Sequence, residues 1–301
     1  MKPWQPDALL PGFEALELPF PDDYDGPVLA TLVRLAGSAQ STYGARGAVL
    51  YVHGFSDYFF QRHMAYRFAA EGYAFYALDL RKYGRSLRPH QHHNFCKSIS
   101  EYYADVSAAI DVIGGPVLLA GHSMGGLVCS LYAHEGARRS AVTSLWLNSA
   151  FFDWNLPEWR KMQLHIAAAI GRYCPFLNDP KAFTAEYTRA LLSEWEFDTR
   201  LKPEYGFPLY YGWLAAISDA FEKVHHGLAI ECPVLSMHSD GADVVLNWRH
   251  TARWSRKLGP SVTVLAFPGA WHDLILSPGS IREEVFSQLF AWAERAVALP
   301  A

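Results

Sequence analysis

Six short apolar runs, separated by polar turns and helical patterns, constrain this 301-residue chain more than any other feature. The runs are Ala48–Val52 (AVLYV), Phe75–Leu80 (FYALDL), Val117–Ala120 (VLLA), Ser144–Leu147 (SLWL), Val234–Met237 (VLSM) and Val262–Phe267 (VTVLAF). Each has the length and near-continuous apolarity of a strand buried on both faces. Val28–Ala36 is expected to add an antiparallel edge strand. Helical patterns lie between them. Arg62–Glu71 ends at Gly72, Ser98–Ile113 opens with the capping-box pair Ser98 and Glu101, Met124–Glu135 stops at Gly136, and Ile281–Ala298 closes the chain. Strand and helix in alternation predict an α/β fold with a mostly parallel central sheet and helices on both faces.

The alternation breaks once. From Phe151 to about Ala229 no strand is predicted, while Trp159, Met162, Ile166, Ala169, Ile170 and Tyr173 recur at helical spacing and Phe207–Val224 also reads as helix. This stretch holds 16 of the 44 Phe, Trp and Tyr residues in 79 positions, which marks it as an insertion of different character from the sheet. The expected organisation is therefore a core of residues 1–150 and 230–301 with a helical insertion, residues 151–229.

Composition removes other classes. Half the residues are hydrophobic and 19% are charged, which excludes a disordered chain. A net charge of −4 gives no general attraction to nucleic acid or anionic lipid. No apolar run approaches the roughly 18 residues of a membrane span, and the proline-broken segment Met1–Phe20 lacks the apolar core of a signal peptide. Cys96, Cys129, Cys174 and Cys232 are widely spaced, so reduced thiols in a cytoplasmic protein are expected rather than a disulfide framework or zinc site.

The motif Gly121-His122-Ser123-Met124-Gly125-Gly126 carries the chemistry. It satisfies G-x-S-x-G, follows the run VLLA and precedes a helical pattern, which is the setting of a nucleophile elbow. A sharp strand-to-helix turn there would push the Ser123 hydroxyl into the open and place a helix N-terminus where an oxyanion forms. A serine hydroxyl needs a base oriented by a carboxylate. His272 follows the last strand run through Pro268-Gly269-Ala270-Trp271, at the end of the sheet where such sites gather. Asp240 and Asp243 share the loop after VLSM; Asp240 stands before Gly241 in a common turn pair, so Asp243 is favoured as the acid, Asp240 is the alternative, and Asp153 is third. The oxyanion donors are expected to be the backbone N–H groups of Met124 and of Phe55, the latter on the turn His53-Gly54-Phe55-Ser56. His90, His92 and His93 form a histidine-rich stretch without an accompanying carboxylate pattern and read as a surface or cap-packing loop. Asp79 reads as a loop-ordering residue and Cys129 as a small core residue. No metal or other cofactor is expected.

The segments AVLYVHGFSDYFFQRH, YALDLRKYGRS, VLLAGHSMGGLVCSLYA, PVLSMHSDGADVVLN and FPGAWHDLIL together resemble the α/β-hydrolase superfamily, and within it the serine hydrolases similar to monoacylglycerol lipases and lysophospholipases. They run in the family's order over roughly residues 45–280. The resemblance implies the α/β-hydrolase fold, a helical cap inserted in it, and an acid in an Asp-x-x-Val type turn about thirty residues before the histidine; Asp243 precedes His272 by 29. The chain departs from the family where Lys82-Tyr83 replace the usual Gly-His of D-x-x-G-x-G-x-S. A serine ester hydrolase acting on a lipophilic small-molecule ester is expected, with a thioesterase or amidase, or a non-catalytic small-molecule binder, as alternatives. Dehalogenases and epoxide hydrolases are disfavoured because both place Asp where this chain has Ser123.

Overall fold

The computed structural model describes residues 3–37, 45–180 and 184–298; the remaining residues of the expected core and cap spans lie outside these. The chain opens with strands β1 (Gln5–Pro6), β2 (Phe13–Asp23) and β3 (Gly26–Leu35). It then alternates: β4 (Ala48–Val52), α1 (Arg62–Ala70), β5 (Ala74–Asp79), α2 (Tyr102–Ile113), β6 (Val117–His122), α3 (Met124–Glu135) and β7 (Val142–Asn148). Away from the sheet follow α4 (Glu158–Gly171), β8 (Asn178–Asp179), α5 (Glu186–Leu192), β9 (Leu209–Tyr210) and α6 (Tyr211–His226). The chain returns through β10 (Val234–Asp240), α7 (Trp248–Ser255), β11 (Val262–Pro268) and α8 (Gly279–Ala298).

The nine-stranded sheet has the order β1-β2-β3-β5-β4-β6-β7-β10-β11. The strands from β5 to β11 pair in parallel, and the first three add on antiparallel. This is the α/β-hydrolase fold, with β6 flanked by β4 and β7 near the middle of the sheet. Strand pleating divides the core into two layers. Leu50, Val52, Leu119 and Leu147 point to the side covered by α2, α3 and α6. Val49, Tyr51, Ala120 and Trp146 point to the side covered by α1 and α8. All five side chains of β4 are buried, which explains why its sequence shows no polar alternation.

The N-terminal hairpin departs from expectation. β3 is an inner strand, paired with both β2 and β5, because β2 covers its outer edge. β2 itself was hidden by Pro19 and Pro21. Both lie beyond Ala15, the last β2 residue paired to β1, where the outer edge has no ladder for a missing N–H to break. Helices α5 and α7 also went unpredicted; Asn247 caps α7 by accepting from the Arg249 N–H at 3.1 Å. The capping box at Ser98 and Glu101 forms, though on a short 3-10 turn that leads into α2.

The two-residue strands β8 and β9 pair antiparallel and are the strands the sequence did not announce between Phe151 and Ala229. The apolar stripe of α4 faces solvent. Trp159, Met162, Ile166 and Ile170, with Tyr173 just beyond the helix, are all exposed, from 43% for Ile170 to 89% for Tyr173. Their shared spacing sets them on one face, and that face is open to solvent rather than packed against the core. The contact of α4 with α6 is made by its other side, where Gly171 closely approaches the backbone of Tyr211. No helix among the described residues is long and apolar enough to cross a membrane.

Candidate active site

Ser123 is the single residue between the end of β6 and the start of α3, and its backbone has φ 52° and ψ −118°. A non-glycine residue at positive φ costs on the order of 1–3 kcal/mol, so the surroundings must hold it. They do so on both sides. The Ser123 N–H donates to the Asn148 carbonyl at 3.0 Å, and the Ser123 carbonyl accepts from the N–H groups of Gly126 at 2.9 Å and Phe151 at 3.0 Å. The glycines make the turn possible by close approach. A Cβ on Gly121 would fall 2.5 Å from the Gly125 carbonyl oxygen, and one on Gly125 would press into the carbonyls of Val52 and His53.

The loop after β11 brings His272 to the same end of the sheet. Gly269 turns it at φ 74°. His272 is buried, and its Nδ1 lies 2.8 Å from Asp243 Oδ2. A carboxylate can only accept, so Nδ1 carries the proton and Nε2 presents its lone pair. That Nε2 is buried and has no hydrogen-bond partner, so the bond to Ser123 Oγ is not closed. Such bonds are often long before substrate arrives. The elbow is nonetheless adjacent: the ring of His122, next to Ser123, stands 4.8 Å from that of His272.

Asp243 is fixed by its own loop. Its Oδ1 accepts from the N–H groups of Val245 at 2.7 Å and Leu246 at 2.9 Å. Burial would raise its pKa, but His272 and the two N–H groups outweigh it and hold the carboxyl below its ordinary value. Asp240 is exposed at the end of β10 and takes part in none of this. Asp153 is engaged elsewhere, with Lys161 Nζ at 3.1 Å and the Trp154 N–H at 2.7 Å.

The turn after β4 lies directly against the serine. A Cβ on Gly54 would stand 3.2 Å from both Ser123 Cβ and His122 Cδ2, so a side chain there would crowd the elbow. Phe55 follows, and Met124 is the first residue of α3, where a helix N–H has no intrahelical acceptor. His53 is buried; its Nδ1 lies 2.8 Å from the Gly54 carbonyl, and its Nε2 accepts from the Leu80 N–H at 3.1 Å. This bond ties the turn to the residue just after β5. Asp79 orders its loop, accepting from the Phe59 N–H at 2.8 Å and from Arg85 Nη1 at 2.9 Å. Lys82, where the family pattern has Gly, is fully buried between Asp23 and Asp25 at 2.9 and 2.7 Å. It takes a positive φ of 66°, so the departure keeps the turn and adds an ion pair to the N-terminal hairpin. The rings of His92 and His93 stack on Phe176 and Phe207.

Sequence reasoning missed a second layer. Asn148, the last residue of β7, donates from Nδ2 to Asp273 Oδ1 at 2.7 Å and accepts the Leu274 N–H at 3.1 Å. Its carbonyl takes the Ser123 N–H, so one residue braces the elbow and the His272 loop. The Tyr187 hydroxyl of α5 accepts the Asp273 N–H at 3.2 Å, and its ring packs edge-on to His272. A polar residue closing a strand at the carboxyl end of the sheet was the available signal for Asn148; nothing local marks Tyr187. Among the described residues no group of three or more His, Cys, Asp or Glu side chains is arranged to hold a metal ion.

Comparison with known proteins agrees with the fold. The family described as Hydrolase_4, serine aminopeptidase S33, matches residues 44–278. A monoglyceride lipase of Saccharomyces cerevisiae is 23% identical over 276 residues, covering 84% of this chain and 86% of that protein. A monoacylglycerol lipase of Mycolicibacterium smegmatis is 34% identical over 99 residues, which span 31% of this chain and only 33% of that relative. Among solved structures, a soluble variant of the Saccharomyces cerevisiae monoglyceride lipase in complex with a substrate analog superposes with a TM-score of 0.72 at 18% identity. It covers 93% of this chain and 97% of that one. At that identity the likeness establishes a shared fold.

Proposed function

Because the chain belongs to the Hydrolase_4 family, we propose that it is a serine hydrolase that cleaves carboxylic esters with an apolar acyl group. The observation that carries the reading is the buried Asp243–His272 pair beside a serine held at positive φ. Ser123 Oγ attacks the ester carbonyl carbon while His272 Nε2 takes its proton, and Asp243 stabilises the imidazolium that forms. The N–H groups of Phe55 and Met124 donate to the oxyanion. His272 then returns the proton to the departing alkoxide as the C–O bond breaks. Water attacks the acyl-enzyme by the same route and frees the acid. His53, Gly54, Gly121, His122 and Gly125 supply the backbone shape that makes this possible. Residues 151–229 act as the cap, over a core of residues 1–150 and 230–301.

The relatives named monoglyceride lipases support a lipophilic substrate, and each buried methylene is worth about 0.8 kcal/mol in such a pocket. All four cysteines are free, in keeping with a cytoplasmic location. A series of p-nitrophenyl esters tests the substrate class, with Ser123→Ala as control. Octanoate is expected to exceed acetate in kcat/KM; the reverse order would reject the apolar pocket. The family description favours amide cleavage as a second reading. Turnover of amino-acid p-nitroanilides faster than of octanoate ester would establish it, and turnover of acyl-CoA in preference to both would point to a thioesterase.

A further inference from the structure

Four consecutive residues at the oxyanion turn each touch the segment between β7 and β10. The Phe55 ring lies 4.3 Å, centroid to centroid, from that of Trp213 on α6. Ser56 Oγ accepts the Phe207 N–H at 3.2 Å. Asp57 Oδ1 meets Lys202 Nζ at 2.9 Å. The Tyr58 hydroxyl accepts the Asp198 N–H at 2.7 Å. Three of these four partners come from the ten residues 198–207, a stretch without helix.

The turn needs holding. Ser56 sits at φ 53°, a strained value for a serine, directly after the residue whose N–H points at the oxyanion in the reading above. No regular element of the core spans residues 53–61. The Asp57–Lys202 pair is the one charged contact of the four. Its side chains are 3% and 8% exposed, and the ammonium is surrounded by the rings of Phe60, Tyr187 and Phe197 at about 6 Å. Burial would raise the Asp57 carboxyl, but Lys202, with His122 and His53 behind it, keeps it below its ordinary value. A buried pair of this kind contributes little net stability relative to apolar replacements, but it fixes geometry when both partners are present.

We propose that Lys202 is a positioning residue for catalysis: it reaches from the cap to clamp Asp57 and so sets the Phe55 N–H at the place where the oxyanion forms. The oxyanion hole is then completed by the cap rather than by the core alone. The inference rests on the serine-hydrolase reading and on Phe55 as a donor. It assigns the cap a part in the chemical step beyond covering the substrate.

The test compares Lys202→Met, Lys202→Arg and the double variant Asp57→Asn/Lys202→Met on p-nitrophenyl octanoate, with an alkyl trifluoromethyl ketone as mimic of the tetrahedral adduct. Removing both charges avoids leaving a lone buried carboxylate, so the double variant is expected to melt close to wild type. Both Met variants should lose roughly 10- to 100-fold in kcat with little change in KM, and should bind the ketone more weakly by a similar factor. Lys202→Arg should recover most of the loss. A double variant that melts like wild type and keeps its kcat and ketone affinity would overturn the proposal, as would a loss confined to KM. A wild-type protein that neither cleaves the ester nor reacts with a fluorophosphonate at Ser123 would instead overturn the hydrolase reading, and this inference with it.

Discussion

His272 donates from Nδ1 to Asp243 Oδ2 across 2.8 Å, and both side chains are only 3% exposed. The bond selects the tautomer in which Nε2 is free to accept a proton, and it puts the negative charge where an imidazolium would develop. Asp240, three residues earlier, is exposed and uninvolved. Asp243→Asn should therefore lower kcat by about 10³–10⁴-fold. Asp240→Asn should leave it within about twofold, as for other surface substitutions. Steady-state kinetics on one ester separates them, and the opposite ranking would transfer the acid role to Asp240.

His63 gives a pH dependence of stability. It stacks on Trp195 and bonds through Nε2 to the Ile275 carbonyl at 2.9 Å. Burial is the main cause that pushes its pKa from 6.5 down to about 4. The unfolded chain therefore binds a proton that the folded one refuses. The stabilisation is fully present above pH 6.5 and is lost progressively as pH falls toward 4, by about 3 kcal/mol. Urea unfolding across this window should show His63→Gln losing less stability than wild type by about that amount. Equal slopes would contradict the assignment.

Asn148 braces two loops with one side chain. Asn148→Ala leaves the buried Leu274 N–H without its partner and removes one of the two donors to Asp273 Oδ1, which keeps the Ile275 N–H at 3.2 Å; this should cost about 1–3 kcal/mol in urea unfolding. The His272 loop would also loosen, so kcat should fall while the Ser123 N–H bond to the Asn148 carbonyl survives. Unchanged stability together with unchanged kcat would remove Asn148 from the account.

The solvent-facing stripe of α4 makes a negative prediction. Met162→Gln and Ile166→Gln should change stability by no more than about 0.5 kcal/mol. They should also leave kcat/KM for an octanoyl ester as it was, because both side chains point away from the core. A several-fold rise in KM would mean that this face contacts substrate after all.

The legible parts of the fold were those with local causes. β4 was read residue for residue because a strand buried on both faces writes a continuous apolar run. The elbow was read because strand, Gly-x-Ser-x-Gly and helix lie within a few residues of one another. Periodicity also placed Trp159, Met162 and Ile166 on one face of α4, but it cannot tell which way a face points; that depends on Gly171 and on α6, which is distant in sequence. β2 was masked by two prolines whose cost vanishes on an open edge. Asp57 and Lys202 meet across 145 residues, and neither has a neighbour in the sequence that announces the pairing. The bracing of the site by Asn148, Tyr187 and Lys202 is tertiary throughout, and only the assembled chain reveals it.

The proposed chemistry depends on Ser123 being an activated nucleophile. Intact-protein and peptide mass spectrometry after treatment with a fluorophosphonate probe tests it most directly. One adduct per chain, located on Ser123, is expected for wild type and none for a folded Ser123→Ala variant. Folded wild-type protein that stays unmodified, or that carries its adduct elsewhere, would contradict it.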